Sequence, residues 1–95
     1  MKAYQERILA NKIRHQFNTT NIEKEFLLLY GEVAEAFEAY KKNASIGEEL
    51  ADVAIYLLGL AEILDIDLEK EIVAKMAINE QRVYQKNKNG YAEKI

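Results

Sequence analysis

Residues 31–52 read GEVAEAFEAYKKNASIGEELAD. A helical pattern runs up to the short link Asn43-Ala44-Ser45 and restarts at Ile46. So short a link leaves two helices no arrangement but an antiparallel hairpin. Glu32 and Glu35 stand on one helix, Glu49 and Asp52 on the next. In each pair the i, i+3 spacing puts both carboxylates on one face. Counting about 1.5 Å per residue from the turn sets Glu35 and Asp52 at the same height. Glu32 and Glu49 then lie about one turn to either side.

Working outward, punctuation defines four helices, at 3–17, 21–43, 46–64 and 68–86. Thr20 with Glu23, and Ser45 with Glu48, carry the S/T-x-x-E signature of a capping box. Asp67 is a suitable N-cap for the fourth helix, which the polar Asn87-Lys88-Asn89-Gly90 run ends. In the second helix Ile22, Phe26, Leu29, Val33, Phe37 and Tyr40 follow the spacing of a core stripe. Leu28 and Ala39 lie on another side, flanking Glu32 and Glu35, so this helix is covered twice. The third helix is apolar nearly all round from Val53 to Ala61, which calls for complete burial. Three neighbouring helices cannot surround it, and association of subunits is the simplest remedy. The expectation is an all-α, antiparallel bundle of about four helices, completed by oligomerisation, with residues 1–95 as one domain.

Composition narrows the function. The 95 residues contain neither proline nor cysteine, which suits helices and removes disulfides, thiolate zinc sites and cysteine nucleophiles. A net charge of -3 speaks against a non-specific nucleic-acid binder. No stretch approaches the roughly 20 apolar residues of a membrane span, and the charged N-terminus is not of signal-peptide type. A soluble, cytoplasmic protein is the expectation.

The carboxylates admit two readings. On open surface, like-charge neighbours cost a few tenths of a kcal/mol, and thirteen glutamates generate such spacings by chance. Glu35/Glu38 and Glu62/Asp65 show them too, the latter at a helix C-terminus where solvation is the plain reading. If four carboxylates converge instead, each pair at 4 Å repels by about 4 kcal/mol at an effective dielectric of 20. Such a cluster takes up a cation or protons. With only oxygen ligands on offer, the cation is Mg²⁺, Mn²⁺ or Ca²⁺. On the fourth helix Leu68, Ile72, Lys75, Asn79, Arg82 and Val83 fall within about 100° of arc. Lys75 and Asn79 thus interrupt a core-facing row, and an inward Lys has an anionic partner, either a carboxylate or a phosphate. Tyr56 lies one turn beyond Asp52, as a core aromatic or as a neighbour of the site.

The combination of a GE-x-x-E block, an E-x-x-D block and a later K-x-x-x-N resembles the MazG-like all-α nucleoside triphosphate pyrophosphohydrolases. LLLYGEVAEAF, EELADVAIYLLGLAEILDIDL and KMAINEQRVY are especially similar to the dCTP pyrophosphatase branch. The resemblance covers about residues 21–86. It implies a homodimer or homotetramer that cleaves a nucleoside triphosphate to monophosphate and pyrophosphate, in nucleotide-pool house-cleaning. It implies Mg²⁺, with Mn²⁺ as substitute, on Glu32, Glu35, Glu49 and Asp52, which double as the catalytic carboxylates. Lys75 and Asn79 contact triphosphate or sugar on this reading, Tyr56 borders the nucleotide, and Arg82 is a further substrate contact. His15 is set beside a histidine that approaches the base in some relatives, although an exposed or satisfied histidine is the plainer expectation. The chain has no tryptophan to line a base pocket as in the dCTP branch.

Two rivals come from other classes. A helical oligomerising module would carry the same carboxylates as surface charge and show no metal dependence. A di-iron carboxylate bundle needs Glu-x-x-His pairs, and the single His15 has no Glu three residues before it.

Overall fold

The computed structural model describes residues 1–82 together with the backbone of 84–86 and 92–94. It contains α1 (Lys2–Arg14), α2 (Ile22–Lys41), α3 (Ile46–Ile63) and α4 (Leu68–Gln81). A short antiparallel hairpin follows, β1 (Tyr84–Lys86) with β2 (Ala92–Lys94), Gln85 opposite Glu93. The fold is all-α, with this hairpin as an appendage.

Three of the helices stop by the same device. At the ends of α1, α2 and α3 a non-glycine residue takes the left-handed conformation: Gln16, Asn43 and Asp65, with φ of 59°, 53° and 58°. The following N–H reaches back in each case: Phe17 to Lys12 O at 2.8 Å, Ala44 to Ala39 O at 2.9 Å, Ile66 to Ala61 O at 2.8 Å. This is the Schellman closure, which satisfies carbonyls the helix end would orphan. It ends α1 at Arg14, three residues before the expected 17.

Helix starts differ from expectation as well. The N-cap of α2 is Asn21, not Thr20, and its side chain accepts the Lys24 N–H at 3.1 Å. Asn18 holds Asn21 in turn, with Oδ1 accepting its N–H at 3.1 Å and Nδ2 donating to its carbonyl at 2.9 Å. Ser45 is the N-cap of α3, but its side chain makes no capping hydrogen bond, so the Ser45–Glu48 box is not formed. Asp67 caps α4 as read, accepting from Lys70 N at 3.3 Å.

The hairpin corrects the end of the fourth helix. Arg82 is already extended (ψ 145°), and residues 84–86 pair with 92–94 instead of continuing to 86. Strand pairing gives these backbone groups partners, in a stretch whose Tyr84 is a good strand former. Val83, placed on the helix-4 row, and the Asn87–Gly90 run lie outside the described residues.

α3 packs between α1 and α2, and the core is thin: among the described residues its buried apolar side chains are Ala36 and Ala39 on α2 and Leu58, Leu60 and Ala61 on α3. The chain buries only part of the expected core stripe of α2, with Ile22 and Leu29 half-buried. Phe26, Val33, Phe37 and Tyr40 are exposed, whereas the Ala36–Ala39 side, which carries Glu32, faces α3. The reason is packing distance. Alanines let two helices approach closely where aromatic side chains would hold them apart. Complete burial of α3 also fails within one chain, since Ile55 and Leu57 remain 45% and 41% exposed. The radius of gyration is 16.5 Å, against about 12 Å for a compact domain of this length.

Among the described residues, α4 is tied down at its start. Gln5, fully buried, accepts the Leu68 N–H at 3.0 Å and donates to Ile66 O at 2.7 Å. Glu62 is not simply solvated: it receives Lys2 Nζ at 2.6 Å and Gln5 Nε2 at 3.1 Å. Beyond that clasp α4 has no buried residue, and Ile72, Val73, Met76 and Ile78 are exposed. No helix among the described residues is long and apolar enough to cross a membrane.

Candidate metal centre

The close approach of α2 and α3 decides the geometry of the carboxylates. Glu32, Glu49 and Asp52 each offer an oxygen within 4.8 Å of the others. Glu49 and Asp52 share a face of α3, and Glu32 meets them from the alanine side of α2. Glu35 stands beside Glu32, near enough to share a hydrogen bond when one of the two is protonated. By counting, Glu35 was level with Asp52; in three dimensions Glu32 belongs to the tightest trio and Glu35 supports it. The trio grades outward, with Glu32 and Glu49 half-buried and Asp52 exposed.

Glu32 carries the strongest signature. Its Oε2 is sealed from solvent without a hydrogen-bond partner. Burial raises its pKa, and the charges of Glu35, Asp52 and Glu49 raise it further. A buried carboxylate oxygen with no donor, facing two more carboxylates, has the chemistry of a hard divalent cation site. Tyr56 borders the cluster: burial, then the Glu32, Glu25, Asp52 and Glu35 charges, raise its phenol pKa.

The other sequence-derived candidates lie elsewhere. Lys75 is exposed, and it does not face the carboxylates from a core-facing row, because α4 has left the bundle by that point. Asn79 is exposed too and accepts Arg82 Nη1 at 3.0 Å, Arg82 being half-buried. His15 caps the end of α1, exposed, and stacks on Phe17 at 5.6 Å between ring centroids.

Sequence reasoning missed a buried ion pair beside Tyr56. Lys12 Nζ of α1 meets Glu25 Oε1 of α2 at 2.5 Å, with side chains 10% and 1% exposed. The other oxygen of Glu25 accepts Asn18 Nδ2 at 3.0 Å, and Lys12 Nζ lies 5.4 Å from the centre of the Tyr56 ring. The available signal was that Glu25 precedes Glu32 by seven residues, two helical turns, and so shares its face. Between α1 and α3 a cleft of about 770 Å³ opens, with Arg7, Asn11 and Arg14 on one wall and Ala51, Ile55 and Tyr56 on the other.

No family profile matches the chain. A dATP/dGTP diphosphohydrolase of Salmonella phage PMBT28 is 35% identical over 85 residues, 90% of this chain and 28% of that protein. A dCTP pyrophosphatase 1 of Rattus norvegicus is 37% identical, across 59% of this chain and 42% of that protein. The chain therefore spans less than half the length of these relatives. Among solved structures, a cyanophage S-2L MazG-like pyrophosphohydrolase, bound to dGDP and three catalytic Mn²⁺ ions per active site, superposes with a TM-score of 0.79. It is 31% identical, and the match covers all of this chain and 93% of that one.

Proposed function

Because the chain belongs to the MazG-like nucleoside triphosphate pyrophosphohydrolase family, we propose that it hydrolyses (deoxy)nucleoside triphosphates to monophosphates and pyrophosphate. The observation that carries this reading is the convergence of Glu32, Glu49 and Asp52 around the sealed, unpartnered Oε2 of Glu32. Glu32, Glu35, Glu49 and Asp52 are the ligand set and the catalytic carboxylates, and Mg²⁺ or Mn²⁺ is the cation. When bound, the metal supplies an activated water and neutralises charge on the departing pyrophosphate. The cleft beside Tyr56 has room for a nucleoside, with its phosphates directed at the carboxylates. A carboxylate of the cluster accepts the proton of the attacking water. The water oxygen bonds to the α-phosphorus, and the bond from that phosphorus to the α–β bridging oxygen breaks. No covalent enzyme intermediate is needed. House-cleaning of the cytoplasmic nucleotide pool is the role that fits.

Assembly belongs to the same reading. The exposed stripe of Phe26, Tyr30, Val33, Phe37 and Tyr40 on α2, and the exposed row of α4, are faces that a dimer or tetramer would cover. We place Lys75, Asn79 and Arg82 against the phosphates or sugar held by a neighbouring copy. Lys75 and Arg82 would add to the Arg7 and Arg14 charges that already line the cleft.

The test is a panel of ribo- and deoxyribonucleoside triphosphates with Mg²⁺ or Mn²⁺, with pyrophosphate and orthophosphate assayed separately. Metal-dependent pyrophosphate release is expected. Orthophosphate as the first product, or turnover in the presence of chelator, would overturn the reading.

A further inference from the structure

The Lys12–Glu25 pair is expensive to bury and sits where its position affects more than the core. Lys12 starts on α1 and ends on Glu25 of α2, with its stem lying over the surface of α3. It crosses at Gly59, where an added Cβ would stand 3.5 Å from Lys12 Cδ and 3.1 Å from Ile8 Cγ2. A side chain at 59 would crowd both. The ammonium then lies against the Tyr56 ring, one turn of α3 before Gly59, and ends on Glu25, which Asn18 holds from the far side. Tyr56 thus has a fixed cation on its face and the carboxylate cluster nearby.

A purely structural pair would have less reason to persist here. Replacing a buried ion pair by apolar residues of similar volume is often neutral or stabilising. An ammonium over an aromatic face, in contrast, gives that ring a preferred position through the ring quadrupole. Tyr56 lines the cleft and lies within reach of the Glu32 and Asp52 charges, so a shift of its ring would change the shape of the cleft on the side of the carboxylates.

We infer that Lys12, held by Glu25 and Asn18 and passing over Gly59, is a positioning residue that fixes the Tyr56 ring as the wall of the nucleotide cleft. The inference rests on the pyrophosphohydrolase reading, but concerns substrate fit rather than chemistry. Lys12 lines the same cleft, and its effect runs through the Tyr56 ring rather than through direct contact with substrate.

The experiment compares Lys12→Arg, Lys12→Met and the paired Lys12→Met/Glu25→Leu with wild type, each also in a Tyr56→Leu background. The paired variant leaves no orphaned charge, and melting curves confirm that it folds. With the best triphosphate found in the panel, KM should rise roughly three- to thirtyfold in the paired variant, the range of a cation–π contact. The kcat should stay within about twofold, since no group at the reacting phosphorus changes. Lys12→Arg should recover most of the KM, and in the Tyr56→Leu background the paired change should add less than about twofold. An unchanged KM in the folded paired variant overturns the inference. Equal increments with and without Tyr56 also overturn it, because Lys12 would then act on substrate directly. Tyr56 ring rotation, followed by NMR on ¹³C-labelled tyrosine, decides the matter without turnover. It should be slow in wild type and Lys12→Arg and faster in the paired variant, and equal rates would sink the inference. Wild type that releases no pyrophosphate from any triphosphate would count against the function alone.

Discussion

Glu32 on α2 and Asp52 on α3 offer carboxylate oxygens within 4.8 Å of each other, although their helices run antiparallel and are joined by a short turn. The alanines at 36 and 39 allow that approach, and the repulsion it creates is the measurable cost of the site. The pKa of Glu32 is raised above its ordinary value of 4.5, so the folded protein keeps a proton that the unfolded chain has released. Between 4.5 and the raised value, the metal-free protein should lose stability as pH increases. Melting temperature against pH in chelator should show this decline, and Mn²⁺ should reverse it. In Glu32→Gln the decline should vanish and the metal response collapse. A decline that survives in Glu32→Gln would assign the proton to another group.

Adjacent Glu48 and Glu49 separate the metal site from surface charge. Glu48 is exposed, and no side-chain capping bond at Ser45 requires it. Glu48→Gln should therefore alter stability by no more than about 0.5 kcal/mol and leave turnover intact. Glu49→Gln should abolish metal-dependent pyrophosphate release, because a neutral amide is a poor ligand for Mg²⁺. Its melting temperature without metal should hold or rise as repulsion is relieved. An inactive Glu48→Gln beside an active Glu49→Gln would contradict the register of α3.

Much of the hairpin and its carboxylate faces was legible, because 3.6-residue periodicity and a short link leave little freedom. Which face α2 would bury was not. Phe26, Val33, Phe37 and Tyr40 have the stronger apolar signal, yet Ala36 and Ala39 permit closer packing and take the contact. The end of α1 was missed by three residues, since Gln16 gives no glycine-like cue for a left-handed closure, and that of α4 by five, where the strand pairing of 84–86 takes over. The Lys12–Glu25 pair joins separate helices across a third and leaves no local pattern. The departure of α4 from the bundle, which takes Lys75 away from the carboxylates of its own chain, depends on a clasp between Gln5 and Leu68 far apart in sequence.

That closure at Gln16 can be tested by itself. A left-handed residue with a Cβ is disfavoured by roughly 1–2 kcal/mol, and Gln lacks the local hydrogen bonding that helps Asn and Asp. Gln16→Gly should stabilise the protein by about 0.5–1 kcal/mol, part of the gain being offset by unfolded-chain entropy. Denaturant titration reads the difference, and a destabilised variant would show that Gln16 does not adopt φ 59° in solution.

The uncovered stripe of α2 predicts assembly. Phe37 is 58% exposed in the single chain. For a monomer, Phe37→Glu would be nearly neutral and would favour solubility. Buried between copies, the same change should disperse the oligomer, since an unpaired charge is costly in an apolar interface. Sedimentation at micromolar concentration should find wild type assembled and the variant smaller or unfolded. A compact wild-type monomer would remove the proposed role of neighbouring copies.

Lys75 puts that role on a sharper footing. It is exposed on an α4 that packs along neither α2 nor α3, so Lys75→Met should leave the melting temperature of the chain nearly unchanged. If its charge serves phosphate, kcat/KM should fall by about tenfold or more. Whether it serves its own site or that of a neighbour is decided by mixing two impaired proteins. Lys75→Met supplies intact carboxylates, and Glu49→Gln supplies an intact α4. In a random dimer population, half the dimers are mixed, and each mixed dimer holds one site with both wild-type parts only when α4 crosses between copies. Co-refolding equal amounts should then restore about a quarter of wild-type activity. If α4 served its own chain, every site would still carry one lesion and the mixture would stay at the level of its components. That second result would keep the carboxylate centre and return Lys75 to a site within its own subunit, reached by closure of α4 over α2 and α3.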